Sequence, residues 1–394
     1  METTSTGLRQ GPLRVALFSG NYNYTRDGAN RALNRLVAHL LAEGMEVRVY
    51  SPTSKAPAFE GVGEIVSVPS ISIPGRSEFR VALGLPRVIG QDVRRFKPDI
   101  VHVSAPDWLG TSAQFLAKAL QVPIVASFHT RFETYFEFYG LRWLCEWAWR
   151  RQRDYYRRSD VVLVPNESMQ SHVRDMGIAD DRLRIWSRGV DPQEFNPDLR
   201  SLVWRHNHGF NDEEVVVLFF GRLVLEKGIA NFIKTIRHLE KGGTPHRVLV
   251  VGKGPCEEKM RKALPNAIFT GELSGDELGQ AVASADILVN PSSTEAFGNV
   301  NLEAMASGPA VVSADVGSAQ SLIIHGQTGL LCKPEPAALA KAVRRLVINR
   351  VERRRLAQMA LQASQSYRWD EVLTHVAQVY RELHEAKTSG SHAH

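Results

Sequence analysis

The chain has 394 residues, of which 43% are hydrophobic and 23% charged, a composition typical of a soluble globular enzyme with enough sequence for two domain cores. Its 48 Lys and Arg outnumber its 42 Asp and Glu, and the net charge of +6 favours an anionic partner such as a nucleotide diphosphate or an acidic lipid. No nucleic-acid-binding module of recognisable spacing is present, so we expect no nucleic-acid partner.

Two features of the sequence predict the compartment. Residues 1–12 have neither a basic start nor an apolar run, so we expect a frayed tail and not a signal peptide, and no apolar run approaches the roughly 20 residues of a membrane span. The three cysteines, Cys145, Cys256 and Cys332, are far apart and lack metal-ligand spacing. Together they predict reduced thiols, no metal site and a cytoplasmic protein.

Short β-branched runs alternate with helical patterns along the chain, which predicts two doubly wound parallel sheets covered by helices. The alternation breaks at residues 191–197, where two prolines and polar residues predict a linker between a first domain (1–195) and a second domain (196–370). The predicted strands are residues 13–19, 46–50, 100–103, 124–128, 161–164 and 183–186 in the first half, and 215–220, 247–251, 267–270, 287–290 and 310–313 in the second.

In such sheets ligands bind at the carboxyl ends of the strands, so the loops that follow strands are the candidate sites. The first such loop, residues 20–30, ends with Gly28 at a helix entry, where the backbone can closely approach a diphosphate or an acceptor. A plain capped turn is the alternative for this glycine. We assign the preceding aromatic and polar residues to acceptor binding: Tyr22, Asn23, Tyr24 and Arg26.

The strand predicted at 124–128 is followed by His129 and Arg131 at the same sheet edge. A lone histidine is more often a structural hydrogen-bonding group, but this position favours a role in the site, and we place Arg131 on the acceptor side. Residues 131–158 contain ten aromatic residues and seven arginines. That mixture is typical of a membrane interface, although a core helix with a basic outer face explains it equally well.

In the second half, Arg222 and Lys227 leave one loop between a strand and a helix. A rigid guanidinium and a mobile ammonium there suit the charge of a diphosphate leaving group. Solvated surface cations are the alternative.

Residues 290–308 predict a strand, a turn and a helix that starts at Gly298. Unpaired N–H groups at Gly298, Asn299 and Val300 can receive a phosphate, while Glu295 and Glu303 flank that position with carboxylates suited to sugar and ribose hydroxyls. Without further context, two exposed glutamates on a helix are an equally good reading.

The stretch EAFGNVNLEAMASG (295–308) resembles the signature of retaining nucleotide-sugar glycosyltransferases of family 4, and GRLVLEKG (221–228) resembles their Arg and Lys pair. WSRGVD (186–191) resembles their Asn-Gly-Val-Asp turn, with Arg188 in place of Asn, as in the branch of GDP-mannose-dependent mannosyltransferases and sulfoquinovosyl-diacylglycerol synthases. The resemblance implies the GT-B fold: two Rossmann-like α/β domains facing a cleft, with a C-terminal helix (371–394) that crosses back to the first domain.

The same resemblance implies roles for individual residues. His129, Arg222, Lys227 and Glu295 would act at the reacting centre, with Glu295 on the donor sugar and Glu303 on the ribose. Leu273, in the loop FTGELSGD (269–276), would contact the nucleobase. The predicted donor-binding set is Gly28, Leu273, Phe297, Gly298, Asn299, Val300 and Glu303.

These features predict a retaining hexosyltransferase that uses a nucleotide diphosphate sugar, with GDP-mannose favoured and a UDP-sugar next. No Asp-x-Asp motif occurs, so we expect no metal or other cofactor. The predicted acceptor is a lipid or lipid-linked molecule, reached by a peripheral protein on the inner face of the cell membrane. A nucleotide-sugar binding protein without turnover, or an epimerase or phosphorylase on the same frame, is the alternative.

Overall fold

The computed structural model describes residues 11–24, 28–73, 76–129, 143 and 145–390. Its strands form two parallel sheets and one small antiparallel hairpin. In chain order the strands are β1 (Arg14–Phe18), β2 (Glu46–Ser51), β3 (Glu64–Ser67), β4 (Ser70–Ile73), β5 (Arg76–Ala82), β6 (Ile100–Val103), β7 (Ile124–Ser127), β8 (Val161–Val164), β9 (Leu183–Ile185), β10 (Val216–Phe220), β11 (Arg247–Val251), β12 (Ile268–Gly271), β13 (Ile287–Asn290), β14 (Ala310–Ala314) and β15 (Leu330–Cys332).

Helices connect the strands and cover both faces of each sheet. In chain order they are α1 (Gly28–Ala42), α2 (Arg87–Phe96), α3 (Trp108–Ala119), α4 (Cys145–Arg157), α5 (Glu167–Asp175), α6 (Leu202–Asn207), α7 (Ile229–Lys241), α8 (Glu257–Ala263), α9 (Gly275–Ala283), α10 (Asn299–Ser307), α11 (Gly317–Gln320), α12 (Pro336–Ile348), α13 (Arg350–Ser364) and α14 (Trp369–Gly390). No described helix is long and apolar enough to cross a membrane.

The first sheet has the strand order β3-β2-β1-β6-β7-β8-β9, and all its pairings are parallel. Because successive side chains of a strand point to opposite faces, β1 contributes to two cores. Ala16 and Phe18 pack in the cluster under α2 and α3, whereas Val15 and Leu17 pack in the cluster with α1. A strand buried on both faces reads as a continuous apolar run, which is why the sequence predicts it well.

The second sheet has the order β12-β11-β10-β13-β14-β15 and is also entirely parallel. Its central strand β10 divides its side chains in the same way, with Val217 and Phe219 in one cluster and Val216, Leu218 and Phe220 in the other. The chain passes from one sheet to the other between β9 and β10.

The last helix returns to the first sheet. Leu373, Val376 and Tyr380 of α14 are buried in the cluster that contains Val15 of β1 and Leu36 of α1. Together with the two doubly wound sheets, this crossing helix confirms the predicted fold class.

The sequence-based prediction omitted four strands. β3 and β15 lie at the edges of their sheets and have four and three residues, and β4 and β5 form a separate antiparallel hairpin. Edge strands are half exposed, so they lack the continuous apolar run that marks the central strands.

Candidate functional site

The carboxyl edges of the two sheets approach each other. Asn166, which follows β8, donates a hydrogen bond from Nδ2 to the carbonyl oxygen of Ala296, which follows β13, at 2.8 Å. At the entry of α1, a Cβ added to Gly28 would lie 2.3 Å from Nδ2 of Asn299 at the start of α10. The loops that the sequence nominates therefore face one cleft, and a larger residue at position 28 would require the Asn299 side chain to move.

Glycines shape the loop that carries Arg222. Gly221 has a φ of 133°, and a Cβ on Gly252 would lie 2.0 Å from the carbonyl oxygen of Gly221. Leu223 N–H donates to the carbonyl of Lys253 at 2.9 Å, which ties the loops after β10 and β11 together. The loop after β11 thus packs closely against the loop that carries Arg222, while the Arg222 side chain is exposed.

Lys227 and Glu295 form an ion pair, with Nζ and Oε1 2.6 Å apart and side chains that are 26% and 13% exposed. The hydroxyls of Ser292 and Thr294 both donate to the carbonyl of Glu226, at 3.0 and 3.2 Å, so the Glu295 loop is fixed to the turn that ends in Lys227. The predicted cation and carboxylate therefore lie in one pre-formed unit.

The helix α10 starts at Gly298, whose φ of 88° and ψ of 52° place it in the left-handed region. Beneath it, Asn290 Nδ2 donates to Asn301 Oδ1 at 3.0 Å and Asn301 Nδ2 donates to Ser313 Oγ at 3.3 Å. This buried amide network orients the first turn of α10. Its N–H groups, including those of Asn299 and Val300, face the cleft and form an anion-binding helix N-terminus.

Glu303 carries a perturbed carboxyl group on α10. Burial raises its pKa to about 7, with smaller effects from Arg31 and Lys227, which lower the pKa, and from Glu194 and Glu295, which raise it. The mutual effects place Glu303, Glu295 and Lys227 in one electrostatic cluster. This carboxyl therefore keeps its proton to a higher pH than an ordinary glutamate does.

His129 follows β7 on the other side of the cleft. Its Nδ1 lies 2.7 Å from Nη2 of Arg188, its ring packs edge-on against Trp186, and its Nε2 is buried without a hydrogen-bond partner among the described residues. Burial lowers the pKa of His129 well below its usual value, and the charge of Arg188 lowers it further.

The acceptor-side residues use their side chains within the protein. Tyr22 is fully buried and its hydroxyl donates to the carbonyl of Val62 at 2.8 Å, while the hydroxyl of Tyr24 donates to the carbonyl of Gly20 at 2.5 Å. Asn23 is buried as well. In this conformation these three side chains stabilise the loop. A contact of these residues with an acceptor would therefore have to come from the backbone of the loop. Arg26 and Arg131 lie outside the described residues.

Two predicted donor contacts also lie near the core. Phe297 is buried and packs edge-on against Tyr367, with ring centroids 6.3 Å apart, so its backbone and not its ring is available to a donor. Leu273 is half-buried against the same cluster. Their roles stay predictions, as do those of the other nominated residues.

Sequence reasoning did not assign roles to three residues at the cleft: Asn166, Arg188 and Asp107. Asn166 caps α5 and bridges the cleft, and Arg188 holds His129. Asp107 caps α3 through Gly110 N–H, and burial raises its pKa to about 6. Asn166 follows β8 and Asp107 follows β6. The expectation that sites lie in loops after strands, which selected His129, therefore applies to both residues. No group of three His, Cys, Asp or Glu in the described part of the chain is arranged to hold a metal ion.

Comparisons with known proteins agree with this geometry. Residues 26–194 match the model of Glycosyltransferase Family 4, and residues 202–363 match the model of Glycosyl transferases group 1. The sulfoquinovosyl transferase SQD2 of Arabidopsis thaliana is 33% identical over 93% of this chain and 72% of its own. A GDP-mannose-dependent alpha-mannosyltransferase of Mycolicibacterium smegmatis is 32% identical over 92% of this chain and 96% of its own.

Solved structures show the same architecture at lower identity. The sucrose-phosphate synthase of Thermosynechococcus elongatus superposes with a TM-score of 0.77 at 19% identity, covering 95% of this chain and 100% of its own. Anabaena HepE in complex with UDP-glucose superposes with a TM-score of 0.72 at 16% identity, covering 94% and 100%. On its sequence matches and its two-sheet architecture, the chain belongs to family 4 of the glycosyltransferases and has the GT-B fold.

Proposed function

We propose that this glycosyltransferase moves a hexose from a nucleotide diphosphate sugar to a lipid-type acceptor, with retention at the anomeric carbon and without a metal ion. The observation that carries the proposal is the Lys227–Glu295 ion pair at 2.6 Å, held in one cluster with Glu303 at the anion-binding start of α10. A cation, two carboxylates and a helix N-terminus in one place match the charges and hydroxyls of a nucleotide sugar.

Each group has a distinct task in this reaction. Arg222 and Lys227 stabilise the charge that develops on the leaving diphosphate, and Glu303 accepts hydrogen bonds from the ribose. Glu295 orients the donor sugar. In this proposal donor binding draws Lys227 from Glu295 toward the phosphates, so the ion pair is exchanged for substrate contacts.

The chemical step is an exchange at the anomeric carbon. The bond from this carbon to the diphosphate oxygen breaks as the acceptor hydroxyl forms a new bond on the same face, and the hydroxyl proton passes to the leaving diphosphate. In this reaction the acceptor hydroxyl attacks the anomeric carbon directly, so Glu295 orients the sugar and does not act as a nucleophile. Arg222 and Lys227 stabilise the negative charge of the leaving diphosphate, as a divalent metal ion does in metal-dependent transferases.

GDP-mannose is the favoured donor and a UDP-sugar the next. The support is the similarity to GDP-mannose-dependent alpha-mannosyltransferases, at 31% and 32% identity over 81% and 92% of this chain.

A lipid acceptor is supported by the outer surface of the first domain. On α4, Trp147 is 58% exposed and Arg151 stacks over its ring at 5.8 Å. On α3, Phe115 is also exposed, and Arg158 lies over it at 5.4 Å. Exposed rings with arginines suit the headgroup region of an anionic membrane, so we place the protein at the inner face of the cell membrane.

The test of the transfer reaction is an incubation of the purified protein with several radiolabelled nucleotide sugars, total membrane lipid and excess EDTA. We expect label in the lipid phase with GDP-mannose. Free labelled sugar without an acceptor product would instead indicate hydrolysis or an epimerase, and activity that needs added Mg²⁺ would contradict metal independence.

The membrane step is tested separately by flotation with anionic and neutral liposomes. We expect binding to anionic liposomes that weakens with salt, because the Debye length falls from about 10 Å at 0.1 M to about 3 Å at 1 M. Arg150→Glu with Arg151→Glu should abolish it. Arg261→Glu with Lys262→Glu on α8 of the second domain changes the charge equally and serves as the control. If the Arg150 and Arg151 double variant floated as well as the Arg261 and Lys262 control, this surface would not be the membrane-binding surface.

A further inference from the structure

A buried arginine is in direct contact with the cleft histidine. Arg188 is buried, its guanidinium lies over the ring of Trp186 at 5.0 Å, and its Nη1 donates to the carbonyls of Trp186 and Ser187 at 3.0 and 3.2 Å. Its Nη2 lies 2.7 Å from Nδ1 of His129. The backbone carbonyls and the indole thus fix the orientation of the guanidinium, and the remaining amino group points at one nitrogen of the histidine.

Donor and acceptor chemistry determines the proton position in this pair. A guanidinium has five N–H donors and no acceptor, and it stays charged in proteins. Burial lowers the pKa of Arg188 only to about 10, which leaves it charged at neutral pH. Nδ1 of His129 must therefore accept, so it carries no proton, and the ring is the neutral form protonated on Nε2.

The surroundings of His129 also oppose a positive charge on its ring. Arg188 contributes a fixed charge from the loop after β9, and Trp186 forms an aromatic wall. His102, from β6, is buried and bonded through its two nitrogens to Tyr380 and Ser127, and burial lowers its pKa to about 3. None of these described groups is a carboxylate that could favour an imidazolium.

We propose that Arg188 is a positioning residue that locks His129 in its neutral, Nε2-protonated form, so that His129 offers a fixed N–H to a substrate oxygen and is neither a general base nor a general acid. The part of this proposal that concerns substrate rests on the proposed transfer reaction. The oxygen would be a hydroxyl or phosphoryl oxygen of the bound donor.

The unpaired nitrogen is consistent with that task. Nε2 is buried without a partner among the described residues, and an unsatisfied buried N–H destabilises the protein, so a substrate oxygen that accepts from it removes that cost. His129 lies at the end of β7, the neighbour of β8, whose following residue Asn166 contacts Ala296 across the cleft. His129 therefore lies one strand away from the point where the first sheet contacts the loop that carries Glu295.

The direct test is ¹⁵N NMR of the histidine rings in the full-length protein, which reports the protonated nitrogen without any need for turnover. The signals of His129, among 13 histidines, are assigned by their loss in His129→Gln. We expect an Nε2-protonated neutral ring from about pH 5.5 to about pH 8.5, a range in which an unperturbed histidine titrates. A proton on Nδ1, or an imidazolium at neutral pH, would overturn the proposal.

Two substitutions separate positioning from simple packing. Lysine also only donates, so Arg188→Lys should keep the wild-type ring state. The amide of Arg188→Gln can accept and has no charge, so the His129 ring should gain the Nδ1-protonated form and a titration nearer the ordinary value of about 6.5. Unchanged His129 signals in a folded Arg188→Gln variant would show that Arg188 does not set the ring state.

The kinetic counterpart is the pH profile of kcat/KM. In wild type no ionisation in this range should depend on His129. Arg188→Gln should add one, and the double variant with His129→Gln should lose it again, whereas a general fold defect would lower the whole profile without adding an ionisation. If NMR gives the expected ring state but no sugar is transferred, the proposed function fails and the positioning role stands. If transfer occurs with Nδ1 protonated, only the positioning role fails.

Discussion

The two edges of the cleft differ in how they use their polar groups. On the second domain, Lys227 and Glu295 are paired with each other, and they lie in one electrostatic cluster with Glu303 of α10. On the first domain, Tyr22 and Tyr24 donate to nearby backbone carbonyls and Asp107 caps a helix. The edge of the second domain thus carries a pre-formed cluster of charges, while the described polar groups of the first domain's edge mainly maintain the scaffold. In the proposed reaction the former is the donor side and the latter the acceptor side.

The strongest way to break this comparison is to remove the cations of the donor side. Arg222→Ala and Lys227→Ala should each lower kcat by about two orders of magnitude or more, because lost stabilisation of the leaving group acts mainly in the transition state. Thermal unfolding should stay nearly unchanged for Arg222→Ala, since that side chain is exposed. The exposed pair Arg261 and Lys262 on α8 provides control positions. Near-normal kcat in both variants would remove them from the mechanism.

A second test concerns Glu303. Glu303→Gln should weaken binding of the nucleoside diphosphate by about tenfold to about a hundredfold, the cost of a charged hydrogen bond of about 1.5–3 kcal/mol, and slow the bound complex less. Calorimetry with GDP alone measures this, with Glu240→Gln, an exposed residue on α7, as the matched control. Unchanged affinity would place Glu303 outside the ribose site.

The pH dependence of nucleotide binding sharpens the same assignment. The folded pKa of Glu303, about 7, lies above its ordinary value, so its ionisation destabilises the empty protein as pH rises from the ordinary value through about 7. A ribose that donates to the carboxylate favours the ionised form. GDP affinity should therefore rise with pH up to about 7, and the rise should be smaller in Glu303→Gln, which keeps only the part due to ionisation of the terminal phosphate of GDP, with a pKa of about 6. A rise of the same size in the variant would have another origin.

The smallest effect is expected on the acceptor side. Tyr24→Phe removes a hydroxyl that donates to a backbone carbonyl, so it should cost about 1 kcal/mol of unfolding free energy and leave KM for the donor unchanged. Denaturant unfolding and initial rates measure the two quantities. A large rise in KM for the acceptor, at unchanged stability, would instead give this hydroxyl a direct role in acceptor binding.

Sequence reasoning was most accurate where burial leaves a continuous apolar run. The bounds of β6, β8, β11 and β13 were predicted to the residue, whereas the edge strands β3 and β15 were missed. The same contrast holds for the site. The motif around Glu295 is local in sequence, so its parts could be placed together. The contacts of Asn166 with Ala296 and of Arg188 with His129 join residues 130 and 59 positions apart, and no local pattern reports such pairs.

The return of α14 has a consequence for the order in which the protein can be completed. Tyr380 is fully buried beside Val15 and Leu36, and it is bonded to His102. During synthesis the first domain emerges with this apolar face uncovered, because the covering helix follows the whole second domain in the chain. A stop codon before residue 369 would therefore damage the first domain, which is far from it in sequence, while the second domain could still fold.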